Sequence, residues 1–252
     1  LYRSEVVLGS AWRVPVLSDE GERGFAVYWP NRIHARLHAQ AFGPDGKPSG
    51  PMTSSGSFGA ELLDFQGASL AKGAMAVLQL GNGELVAINP LTPSFDGNAT
   101  RLPVEFRGYS VTLAGREHEA GMAWTNPSGR IRKVAFAQVG NQGFTSRPVH
   151  ITGSARNRTP YAITSTFQGG HYFVLFTTGI SPSVWAVTLN PDGSVVRPAQ
   201  PVHENQLNLS DLVWTGFDFV ATNTYPAQTG CQLSFVRMSA DGTAMTSPRC
   251  SF

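Results

Sequence analysis

The feature that most constrains this chain is a turn that returns. Gly43-Pro-Asp-Gly46, Ser94-Phe-Asp-Gly97, Gly140-Asn-Gln-Gly143, Asn190-Pro-Asp-Gly193 and Ser239-Ala-Asp-Gly242 set their final glycines 51, 46, 50 and 49 residues apart. Asp-Gly suits a tight hairpin because both residues tolerate positive φ at little cost. Upstream of each turn lies an apolar run: Phe25–Trp29, Met75–Gln79, Gly121–Thr125, Phe173–Thr177 and Phe219–Asn223. Downstream comes a Pro-hydrophobic segment, as in Pro103-Val104, Pro148-Val149 and Pro201-Val202. Three separate features keep one period, so the chain is built from repeats.

Each repeat reads as four strands. Strand A precedes the first hairpin, as in Pro15–Leu17, Pro160–Ile163 and Asp211–Trp214. Strand B is the apolar run. Strand C is an alternating run, such as Arg32–Ala39, Glu84–Ile88, Arg130–Val139 and Gln232–Met238. In the fourth repeat Val184, Ala186 and Thr188 alternate with Trp185, Val187 and Leu189, which is the two-residue period of a strand. Strand D follows the Asp-Gly turn, and its prolines suit an outer edge where no ladder donor is needed. Ala68–Leu80 has helix-forming composition, but Gly73 and the match to the other B strands favour strands.

Four antiparallel strands repeated at this spacing predict an all-β fold, a five-bladed β-propeller of four-stranded antiparallel blades. The approximate blades are 9–54, 55–106, 107–152, 153–204 and 205–252, in one domain, with residues 1–8 as an extra closing strand. Closure stays open between three arrangements. Glu5–Leu8 adds beside the last outer strand, or the tail Ser247–Phe252 is displaced, or a further upstream blade precedes the chain. The runs Leu212-Val-Trp-Thr-Gly-Phe-Asp-Phe-Val-Ala221 and Leu233-Ser-Phe-Val-Arg-Met-Ser-Ala-Asp-Gly242 resemble the repeats of secreted bacterial β-propeller proteins. That resemblance implies architecture and carries no catalytic or binding residue with it.

Composition narrows the function. Charged residues make 14% of the chain, against roughly 25% in typical soluble proteins, and the net charge is +2. No basic field points to nucleic acid. No window approaches the roughly 20 apolar residues of a membrane span. The chain opens at Leu1, as a processed or truncated protein does. A hairpin centred on Asp241-Gly242 sets Cys231 opposite Phe252 and Cys250 diagonally beside it, which a bulge would bring within bonding range. A Cys231–Cys250 disulfide and a secreted or periplasmic location are expected, the alternative being two unrelated thiols. Asn98, Asn157 and Asn208 head glycosylation sequons that matter in a eukaryotic source alone.

Chemistry is sparse. His34 and His38 would sit about 13 Å apart on one strand, too far to share an ion. His150 and His203 hold equivalent D-strand positions, and His118 and His171 fall near A–B turns. There is no zinc spacing, no Gly-x-Ser-x-Gly elbow and no phosphate-cradling loop, so no metal or cofactor is expected. If the chain were a glycoside hydrolase or lyase, Glu61, Asp64 and Asp211 on A strands would be its acids. The D–A and B–C loops instead gather Trp12, Arg13, Trp29, Arg32, Asn126, Arg156, Asn157, Arg158 and Tyr225 on one face. Aromatic rings beside Arg and Asn suit a lectin-like site for a carbohydrate or protein partner. The expected function is a non-enzymatic, exported binding propeller. An enzyme with central carboxylates, or a structural propeller of a larger assembly, are the rivals, and the oligomeric state is open.

Overall fold

A computed structural model of the protein describes residues 15–19, 22, 24–31, 34–71, 73–104, 110–128, 131–153, 159–181, 183–204, 207, 209–224, 233–243, 245–246 and 249–250. The chain divides into two compact units, Leu1–Phe106 and Arg107–Phe252. The first holds two sheets: β1 (Val16–Asp19), β2 (Phe25–Asn31), β3 (Arg36–Phe42) and β4 (Thr53–Ser54), then β5 (Leu62–Ser69), β6 (Ala74–Leu80), β7 (Leu85–Leu91) and β8 (Asn98–Leu102). The second holds three. The third sheet runs β9 (Val111–Gly115), β10 (Ala120–Ser128), β11 (Ile131–Gly140) and β12 (Gly143–Phe144), with β13 (Val149–His150) also on β11, so its outer strand is split. The fourth is β14 (Pro160–Gln168), β15 (His171–Thr178), β16 (Val184–Leu189) and β17 (Val195–His203). The fifth is β18 (Leu209–Trp214), β19 (Phe219–Thr224), β20 (Leu233–Met238) and β21 (Arg249–Cys250). Every pairing is antiparallel, and all but that of β13 with β11 join consecutive strands, giving five blades of a β-propeller.

The apolar B runs are β2, β6, β10, β15 and β19, each in the second position of its sheet. Ala68–Leu80 is two strands, joined where the Leu70 N–H donates to Gly73 O at 2.9 Å and Gly73 takes a φ of 92°. Strand C of the first sheet begins at Arg36, later than the sequence predicts, because Ala35 (φ 46°) turns the chain. His34 therefore lies in a turn and not on the face of His38. Cys231 lies outside the described residues. Cys250 pairs with Ser234 across β20 and β21.

Three of the repeated turns share one construction. The Gly46, Gly193 and Gly242 N–H groups donate to Gly43, Asn190 and Ser239 carbonyls at 2.9, 2.9 and 2.8 Å. The glycines take φ of 75°, 83° and 71°. In the first two, the Gly43 and Asn190 N–H groups donate to Lys47 and Ser194 carbonyls, both at 2.8 Å, closing a three-residue loop with a glycine bulge. The aspartate before each glycine contributes its carboxylate. Asp45, Asp192 and Asp241 Oδ1 accept the N–H two residues on, at 3.1, 2.8 and 3.2 Å.

Gly97 keeps the period for another reason. Positive φ falls on Phe95 (54°), whose ring meets Tyr28 edge-on at 6.2 Å, and the Asn89–Pro90 peptide is cis. A Cβ on Gly97 would lie 1.8 Å from Pro90 O. A Cβ on Gly46 would meet nothing within 4 Å. Gly46→Ala therefore costs left-handed strain alone, about 1–2 kcal/mol. Gly97→Ala forces backbone apart and costs about 3 kcal/mol. Chemical denaturation of the two variants should rank them in that order.

Candidate functional site

Several residues that the sequence assigns to the D–A/B–C face lie outside the described residues: Trp12, Arg13, Arg32, Arg156, Asn157, Arg158 and Tyr225. Trp29 is described and is 8% exposed, its ring 5.7 Å from that of His38. It packs within the first sheet and offers no open platform. Asn126 is half-buried on β10, opposite Lys133. Of the carboxylates, Asp64 is 8% exposed and its Oδ1 accepts the Phe65 N–H at 2.8 Å. Glu61 and Asp211 are exposed. Among the described residues no three His, Cys, Asp or Glu side chains gather closely enough to hold a metal ion.

One trio has the spacing of a nucleophile, a base and an orienting group. Ser54 Oγ lies 2.7 Å from His38 Nδ1, and Asn31 Nδ2 lies 3.0 Å from His38 Nε2. The Asn31 Oδ1 already accepts the His34 N–H at 3.2 Å, which turns the amide nitrogen toward the ring. His38 Nε2 is then an acceptor, and Nδ1 carries the hydrogen that it donates to Ser54. A ring with its proton facing the hydroxyl cannot remove the hydroxyl's proton. The trio is wired as a structural clasp between β2, β3 and β4.

The concave site lies in the second unit, between the fourth and fifth sheets. It is a cleft of about 370 Å³. In sequential antiparallel sheets the A–B and C–D hairpins share one end, and this cleft opens there. The β14–β15 hairpin contributes Gln168, Gly169 and His171, and Trp214 and Phe219 come from the β18–β19 hairpin. Thr188, Val196 and Arg197 close one side, and the Asp241 turn closes the other. Phe173 and Phe219 form the floor, with centroids 4.5 Å apart, and Trp214 leans on Phe219 at 4.8 Å. Trp214 stays half-buried because the hairpin turns immediately after it. The sequence places His171 near an A–B turn on the rim opposite the expected ligand face, and the cleft opens on that rim.

Charges around the cleft are already committed. The Arg197 guanidinium donates to the Asp241 carbonyl. The Asp241 carboxylate accepts from the Ser239 and Thr243 hydroxyls at 2.6 and 2.8 Å, which with the Thr243 N–H hold its pKa down at about 2. On the adjacent hairpin, Arg237 Nε donates to Asp218 Oδ2 at 2.6 Å and the Thr215 hydroxyl to Oδ1 at 2.6 Å, lowering the Asp218 pKa in that order of cause. The Ser194 and Lys47 partners do the same for Asp192 and Asp45, as the Thr92 and Ser94 hydroxyls do for Asp96. Other groups are unspent. Among the described residues no hydrogen bond reaches the Gln168 amide or the Thr188 hydroxyl, and Thr188 is 8% exposed. His171 Nδ1 is buried without a partner.

Solved structures similar to this chain define its class, a β-propeller. Hydrazine synthase of Kuenenia stuttgartiensis aligns with a TM-score of 0.60 at 13% identity, over 93% of this chain and 65% of its own. The subtype N11 neuraminidase-like protein of influenza A/flat-faced bat/Peru/033/2010 aligns with a TM-score of 0.59 at 6% identity, over 100% of this chain and 77% of its own. The Dos1 propeller aligns at 0.51 and 8% identity, over 90% of this chain and 56% of its own. The chain thus spans about two thirds of the hydrazine synthase chain. No family model and no curated protein matches the sequence. Identities this low establish the fold alone.

The lowered Asp241 pKa has a pH consequence. A carboxyl held below its ordinary 3.8 stabilises the folded state above that value, and the stabilisation is lost as pH falls toward about 2. Melting temperature measured across this window should fall more steeply for the wild type than for Asp241→Asn, which has no carboxylate to titrate.

Proposed function

We propose that this chain is a non-enzymatic binding propeller, exported to the periplasm or beyond, that takes a carbohydrate or protein ligand between its fourth and fifth blades. The observation that carries the reading is the cleft. Its volume falls in the range of ligand sites, and its aromatic floor is ringed by a few polar groups, as such sites are. The D–A/B–C face remains in the proposal as a second contact surface, with Asn126 and Asp211 on it.

Five of the aspartates are unsuited to hydrolysis. A glycosidase needs one carboxyl raised in pKa to protonate the leaving group. Asp45, Asp96, Asp192, Asp218 and Asp241 are each shifted the other way by the hydrogen bonds they accept. None of these five is a general acid at neutral pH.

Glycan-array screening together with pull-down against purified candidate partners tests the reading. The wild-type chain should retain a ligand, and Trp214→Ala should retain it about tenfold less well. Equal retention would move the site off the cleft, and turnover of an array glycan would make the chain an enzyme. Export predicts a Cys231–Cys250 bridge, so thiol titration of the denatured, unreduced protein should find no free thiol.

A further inference from the structure

Resting on the binding reading above, we infer that the cleft between the fourth and fifth blades is a subsite for a neutral saccharide ring, stacked on Trp214 and hydrogen-bonded by Gln168 and Thr188. Arg197, the cation that lines the cleft, already donates to the Asp241 carbonyl. Asp241, the anion, accepts on both carboxylate oxygens: Oδ1 from Ser239 at 2.6 Å and Oδ2 from the Thr243 hydroxyl at 2.9 Å. Arg197 also stands close enough to the Asp241 carboxylate to help lower its pKa, so the Arg and the Asp of the lining offset each other. A charged ligand would meet attraction and repulsion side by side there and gain little net field.

What remains is aromatic surface and neutral polarity. Trp214 is half-buried, held against Phe219, which is itself buried. A wholly apolar ligand would cover that surface but would leave the nearly buried Thr188 hydroxyl and the Gln168 amide dry and unpaired, which carries a penalty. A pyranose meets both demands. Its C–H face lies on an indole, and its hydroxyls donate to or accept from an amide and a hydroxyl, each of which can do either. At His171 no partner on Nδ1 fixes the tautomer, so the ring can also present a donor or an acceptor to suit the hydroxyl pattern.

The test is saturation-transfer NMR with a panel of neutral methyl glycosides, and with sialic acid and glucose 6-sulfate as anionic comparators, at low and high salt. At least one neutral glycoside should show transfer that salt does not reduce. Affinity should drop about tenfold in Trp214→Ala, recover in Trp214→Phe and weaken in Gln168→Leu. The Gln168 variant keeps the experiment decisive if loss of the indole unfolds the fifth blade. Transfer to the anionic sugars alone, or neutral-sugar binding indifferent to both Trp214→Ala and Gln168→Leu, overturns the inference. If no neutral glycoside binds while the array or pull-down still yields a ligand, this subsite falls and the binding propeller stands. If nothing binds in any assay, both fall together.

Discussion

Burial of both faces of the middle strands is the constraint on which the rest of the fourth sheet depends. Every residue of β16 is buried, as is almost every residue of β15. Tyr172, Val174, Phe176, Trp185 and Val187 enter one apolar cluster with Phe136 of the third sheet. Phe173, Leu175, Val184 and Ala186 enter another with Phe219 of the fifth. Each large side chain so buried contributes about 2 kcal/mol, and only if a neighbouring sheet covers it. A single blade of this composition would expose half of that surface, so the pattern has to repeat. The outermost strand escapes the demand. In β17 the exposed Val195, Val196, Pro198 and Pro201 mark an edge, with prolines that deny a further strand its donors.

Turn chemistry supplies the second layer of organisation. The aspartates at 45, 192 and 241 act on the backbone. Each binds the backbone two residues on, relieves a donor that the bulge leaves without a ladder partner, and lets the glycine take the left-handed conformation. Of the three, Asp241 also borders the cleft, beside Arg197.

Much of this was legible from residue order, and the reasons it failed elsewhere are physical. The B strands read correctly because continuous apolar runs bounded by turns have few other outcomes in a chain with this much glycine and proline. Gly97 shows the limit of periodicity: it stands at the expected interval, yet steric closeness to Pro90 and not a positive φ explains it. Trp29 looked like a platform because it ends an apolar run beside a loop, and pattern alone does not say that His38 across the ladder covers it. The cleft was missed for a related reason. Its residues come from four separate hairpins and strands, and no spacing in the chain announces that Trp214, Gln168 and Thr188 meet. Three unremarkable polar or aromatic residues come to line one cleft through packing between sheets, which is a property of three dimensions.

Strictly sequential pairing also bears on how such a chain is made. In β14 to β17 each strand bonds to the one synthesised just before it, and the same order holds in β5 to β8 and β18 to β21. Contacts of short sequence separation close small loops and lose little chain entropy. A ribosome releasing this protein would therefore free one complete hairpin after another, and early blades could assemble while later ones are still being translated.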